Sequence, residues 1–109
     1  MQVASTLVGA ELAVAEGRAT EAQAMLAVIG GLRNEPRLRR DVIDARGRWL
    51  VTSGRARVQQ GDVAEGIALL REAHGHRSAL FGEEAPMMRS LAAEIARAEA
   101  TGTAPAERT

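Results

Sequence analysis

Residues 11–30 and 55–74 align without a gap, so the chain uses one local unit at least twice. That restricts it to architectures in which a motif packs against its own copy. Under the offset of 44, Gly17 meets Gly61, Glu21 meets Glu65, Met25 meets Leu69 and Leu26 meets Leu70. Apolar residues within each copy recur at three- and four-residue steps, and a glycine divides each copy in two. The unit is two antiparallel helices joined by a glycine turn. One such pair cannot bury its own apolar face, so the copies must stack.

Glycine and proline divide the whole chain into five helical segments with no strand-like alternation. The first covers residues 2–15, with Val3, Leu7, Ala10 and Val14 along one face, and Gly17 stops it. Thr20 and Gln23 have capping-box spacing, so the second helix is expected to begin at Thr20 and to turn Ala22, Met25, Leu26 and Ile29 inward until Gly30 and Gly31 weaken it. Pro36 suits a first helical turn, and the longest segment is expected over residues 36–60. It has two apolar faces, with Ile43, Gly47, Leu50, Gly54 and Val58 on one side and Val42, Ala45, Trp49 and Ala56 nearly opposite, as in a helix packed between two others. Asp44 and Arg48 are four apart and are expected to pair in solvent.

Gly61 ends that segment, and Asp62 with Glu65 repeats the capping-box spacing. In the fourth helix either Ile67, Leu70, Ala73 and Arg77 or Leu69, Ala73 and Leu80 point inward, and Gly82 closes it. Pro86 opens a fifth helix whose buried stripe is Met88, Leu91, Ala92 and Ile95 and which ends before Thr101 and Gly102. The expected organisation is one all-α domain over residues 1–102, comprising repeat units 2–34 and 36–82 and a capping helix 86–101, followed by a disordered tail at 103–109.

The stretch 47–86 resembles the tetratricopeptide repeat family, in particular the longer variants of kinesin light chains and bacterial signalling proteins. Leu50, Gly54, Gly61, Leu70 and Ala73 stand at that family's large, small, turn, large and small positions, and residues 80–86, LFGEEAP, look like its linker ending in Pro86. Gly66 replaces the usual alanine and Arg57 the usual aromatic. The first unit has Gly17 at the turn, with Gly9 and Ala10 at the small site and Ala13 at the aromatic one. The resemblance implies a short right-handed superhelical stack of about five helices. It also implies a scaffold that binds a protein or peptide and has no catalytic role, as in the terminal arrays of larger bacterial regulatory proteins. Two and a half units fall short of the roughly three that a stable stack needs, so a homo-oligomerisation domain is the second reading. That reading would bury Trp49 and the first helix at a subunit boundary.

Gly47 and Gly54 are seven residues apart on one helix face, where a neighbouring helix could approach closely. Glycine within a helix costs about 1 kcal/mol relative to alanine, so its use there implies that a methyl group does not fit.

Composition narrows the function further. The 109 residues contain no cysteine, which removes disulfides, thiolate ligands and cysteine nucleophiles. The two histidines, His74 and His76, are two apart and face different ways on a helix, so no chelating pair and no metal or other cofactor is expected. Ser5, Ser53, Ser78 and Ser90 have no histidine in a suggestive arrangement, and no phosphate-cradling glycine loop is present. No apolar run reaches the roughly 18 residues of a membrane span. The apolar start lacks a basic end and carries Glu11, so a cytoplasmic protein is expected.

Net charge is zero, yet residues 33–57 hold eight arginines against Glu35, Asp41 and Asp44. All fourteen basic residues are arginine, a bias in keeping with GC-rich coding. Arg37, Arg48 and Arg55 share a face and are the candidate partner-binding residues, suited to acidic or phosphorylated peptides through bidentate contacts. Nucleic acid is a weaker reading, because aspartates interrupt the face and stacking aromatics are missing.

Overall fold

The computed structural model describes residues 3–35 and 44–108, with side chains as far as Thr101. Among the described residues five α-helices follow in order: α1 (Val3–Ala15), α2 (Ala19–Val28), α3 (Ala45–Gln59), α4 (Val63–Phe81) and α5 (Pro86–Arg108). A 3-10 segment, Gly30–Asn34, follows α2, and no strand occurs among the described residues. The all-α expectation holds.

The repeat is visible hydrogen bond by hydrogen bond. Gly17 N–H donates to Val14 and Arg18 N–H to Ala13; 44 residues on, Gly61 donates to Val58 and Asp62 to Arg57, at 3.0, 2.7, 3.0 and 2.9 Å respectively. Both turns are Schellman closures, with the glycine at φ +77° in the first and +88° in the second. A side chain at either position would be strained, which is why glycine recurs there.

These closures fix where the next helix begins, and they correct the capping boxes read from the sequence. The offset superposes Asp62 on Arg18, not on Thr20. Arg18 and Asp62 are the two N-cap residues, with nearly equal backbone angles (φ −94°, ψ 63° and φ −88°, ψ 67°), and neither makes a side-chain capping bond. Arginine has no acceptor with which to cap a helix, and the Asp62 carboxylate lies 3.7 Å from Arg57 instead. Thr20 therefore lies inside α2.

The third segment also differs from expectation. Its N-cap is Asp44, left-handed at φ 54°, so α3 starts at Ala45; residues 36–43, including Pro36, Arg37, Asp41, Val42 and Ile43, lie outside the described residues. The left-handed backbone costs roughly 1–2 kcal/mol, and aspartate is among the few residues that tolerate it. Here its carboxylate accepts the Gly47 N–H at 3.2 Å and Arg77 Nε–H at 2.6 Å while buried at 5% exposure. Asp44 is thus part of the core boundary, and the expected solvent pair with Arg48 does not form.

The two-faced α3 is packed on both sides. Trp49 is buried within the chain and donates its indole N–H to the Leu26 carbonyl of α2 at 3.0 Å. On the other side Gly54 meets α4 at Gly66: a Cβ on Gly54 would lie 2.8 Å from Leu70 Cγ, and one on Gly66 would lie 2.7 Å from the Gly54 carbonyl oxygen. A methyl group at Gly66 would therefore collide with the backbone of α3. A Cβ on Gly47 would fall 2.4 Å from the Asp44 carboxylate, so that glycine clears space for the Asp44–Arg77 pair.

Leu7, Leu26, Leu50, Leu70 and Met88, one from each helix, are the largest fully buried side chains. In α4 the two expected ridges merge, with Leu69, Leu70 and Ala73 buried, Ile67 and Arg77 half-buried and Leu80 exposed. In α5 the buried stripe is Met88, Leu91, Ile95 and Ala98; Ala92 is exposed, because it lies well to one side of the line through 88, 91, 95 and 98. Helical backbone continues through Gly102 to Arg108, where the sequence reading expects an irregular tail. Pro105 has no amide hydrogen to give that last stretch.

Candidate functional site

A groove of about 560 Å³ lies between α1, α3 and α5. Val14 and Ala15 of α1, Val58 of α3, Leu70 of α4 and Ala98 of α5 give it an apolar lining. Glu11, Arg55, Gln59, Glu94, Arg97 and Thr101 supply the polar part. Gln59 is held in place: its side-chain amide donates to the Val14 carbonyl at 2.7 Å, across the closure that ends α1.

The charges of the groove are largely compensated from within the chain. Arg48 of α3 reaches Glu11 of α1 through Nε at 2.9 Å and a terminal nitrogen at 2.5 Å. Arg55, two turns on, reaches Glu94 of α5 at 2.7 and 2.8 Å. In both arginines the carboxylate hydrogen bond raises the guanidinium pKa above its ordinary value, with burial acting the other way. Both are fully ionised at any physiological pH. Arg97, exposed on α5, has no ion pair among the described residues.

Of the three arginines singled out by sequence, the two within the described residues point to different helices. Arg37 lies outside the described residues, while Arg48 turns toward α1 and Arg55 toward α5, each held through Nε and one terminal nitrogen by a carboxylate. Arg55 lines the groove; Arg48 braces its Glu11 wall. Sequence reasoning missed Glu11, Glu94, Gln59 and Arg97. The glutamates sit 37 and 39 residues from their arginines, so no helical spacing reveals the pairs.

Two further pairs tie neighbouring elements together. Arg33, after α2, bonds Glu72 of α4 at 2.9 Å, and Arg71 of α4 bonds Glu99 of α5. The histidines separate as their spacing requires. His76 Nε2 lies 3.3 Å from the buried Asp44 carboxylate, whereas His74 borders a shallow depression with Ala92 and Ile95. Ser53 is buried in the core, and Ser78 donates to the Gly75 carbonyl at 3.3 Å.

No protein-family model, curated protein or solved structure matches this chain.

Proposed function

We propose that the chain is a protein-interaction module of the tetratricopeptide type that holds an extended peptide in the groove between α1, α3 and α5. The observation that carries this reading is the groove itself, with small aliphatic side chains along its length and polar groups at its edges, the arrangement in which a peptide gains affinity from apolar contact and register from a few polar bonds. Repeat stacks use such concave surfaces for extended ligands. Trp49 buried inside the chain favours this reading over assembly through that residue.

The preferred ligand carries a carboxylate beside a small apolar side chain. Glu11 and Glu94 are already neutralised by Arg48 and Arg55, which leaves Arg97 as the lining cation with an open coordination sphere among the described residues. Panning a random peptide library on the full chain tests the proposal. Recovered peptides are expected to be acidic, to lose binding to Ala15→Trp, which fills the groove from an exposed position, and to bind Arg97→Glu at least ~10-fold more weakly. Recovery of no peptides, or of peptides indifferent to Ala15→Trp, would refute it.

A further inference from the structure

The lining of the groove repeats from helix to helix. Helix α1 contributes Glu11 and Val14, and at the offset of 44 the same two positions of α3 are Arg55 and Val58. Helix α5 contributes Glu94 and Arg97, again three residues apart on one face. Two contacts set the three helices level with one another. The Gln59 amide, next to Val58, donates to the Val14 carbonyl at 2.7 Å, and Arg55 meets Glu94 at 2.7 and 2.8 Å. Two rows therefore cross the helices, one of Glu11, Arg55 and Glu94, the other of Val14, Val58 and Arg97.

The first row is closed by ion pairs, since Arg48 holds Glu11 and Arg55 holds Glu94. The second carries no such pair among the described residues and reads aliphatic, aliphatic, cationic from α1 to α5. Its period is that of packed helices, roughly 8–10 Å from axis to axis. A ligand that follows the row must bring a side chain to one face once per helix. A β-strand repeats its face about every 6.6 Å and falls out of step within two helices. An α-helical ligand is about 10–12 Å wide, too broad for a groove of about 560 Å³ spread along three helices. A polyproline II helix returns to the same face every three residues, about 9.3 Å, and keeps step with the row.

We propose, resting on the peptide-binding role above, that the ligand is a proline-rich segment in the polyproline II conformation. Small aliphatic side chains three residues apart pack on Val14 and Val58, and a carboxylate three residues further along the same face meets Arg97. A preformed polyproline II segment loses little conformational freedom on binding, which suits a site with few contacts. No aromatic side chain lines the groove, so selection rests on the three-residue spacing and on the carboxylate.

Fluorescence anisotropy with labelled peptides on the full chain tests this. The probes are Pro-Val-Pro-Pro-Val-Pro-Pro-Glu-Pro and the same sequence in reverse order, since the row does not fix the direction of the ligand. At least one is expected to bind, and to be lost with Ala15→Trp. Moving its glutamate by one position, or replacing its prolines by glycine, should weaken binding at least ~10-fold. Arg97→Glu should prefer the peptide that carries arginine in place of glutamate. Equal binding of the shifted or glycine peptides, or no change of preference with Arg97→Glu, would overturn the inference while leaving the groove a peptide site. Failure of both probes beside successful recovery of library peptides would do the same, and failure of probes and library together would overturn the peptide-binding role as well.

Discussion

Two glycine-to-alanine substitutions in the same helix, Gly66 and Gly75 of α4, should move stability in opposite directions. In an unobstructed helix interior the replacement contributes about 1 kcal/mol. At Gly75 no heavy atom lies within 4 Å of the added Cβ, so that gain is expected in full. At Gly66 the new Cβ falls 2.6 Å from Val58 Cγ2, 2.7 Å from the Gly54 carbonyl oxygen and 3.0 Å from the Val58 nitrogen. Two of those three atoms are backbone, so rotation of a side chain cannot relieve the contact and α3 must move away from α4. Overpacking a well-filled interface costs about 1–3 kcal/mol, and separating two helix backbones belongs at the upper end. After the propensity gain, Gly66→Ala should destabilise by about 2 kcal/mol. For a domain of this size each kcal/mol shifts Tm by roughly 4–8 °C, so Gly66→Ala should melt about 8–16 °C below wild type and Gly75→Ala about 4–8 °C above it. Thermal melts followed by circular dichroism, with urea titrations for the free energies, decide the matter. If Gly66→Ala melts at or above wild type while Gly75→Ala behaves as stated, the close α3–α4 crossing is wrong.

Three further substitutions probe other parts of the same framework. Asp44→Ala removes the N-cap of α3 and the carboxylate facing Arg77, and is expected to cost about 3 kcal/mol in urea denaturation, more than a cap alone because a half-buried guanidinium is left unpaired. Trp49→Phe keeps the aromatic ring but orphans the Leu26 carbonyl; a loss of about 1–3 kcal/mol is expected, and a stability equal to wild type would show that water replaces the indole. Arg55→Glu and Glu94→Arg should each lower stability by up to about 1 kcal/mol, because the pair is partly exposed, and the double reversal should recover most of it; a double variant no better than the sum of the singles would exclude the contact.

The repeat framework was legible because its determinants are local. Gly17 and Gly61 announce turns that need positive φ, and the stripe of Leu7, Ala10 and Val14 needs nothing beyond helical periodicity. The two-faced pattern of α3 was legible for the same reason. Asp44 was not, since its left-handed backbone is held by Arg77, 33 residues away, and in a run rich in arginine and aspartate it reads as one more solvated helix residue. The N-cap of α2 was misread by two residues, Thr20 for Arg18, because the preceding closure, not the side chain, sets it. Ala98 in place of Ala92 is a matter of which neighbour a stripe of small residues meets, and alanine carries too little apolar contrast to mark its own face.

The arginine run illustrates how a net charge can mislead. Eight arginines between 33 and 57 suggest a basic surface balanced by acid elsewhere in the chain. The fold instead brings that acid to the arginines: Glu11 from α1 to Arg48, Glu72 from α4 to Arg33 and Glu94 from α5 to Arg55. Among the described residues these charges are compensated pair by pair at helix contacts, so Arg33, Arg48 and Arg55 are not open cations of the kind phosphate binding would draw on. An acidic ligand that engages Arg55 must first displace Glu94, exchanging one charge-assisted pair for another of similar strength. Such an exchange yields little affinity. Under the proposed function, selectivity would come from the fit of side chains against Val14, Val58 and Ala98 and from Arg97, which is why the test of ligand recognition falls on that arginine and on the groove's open volume.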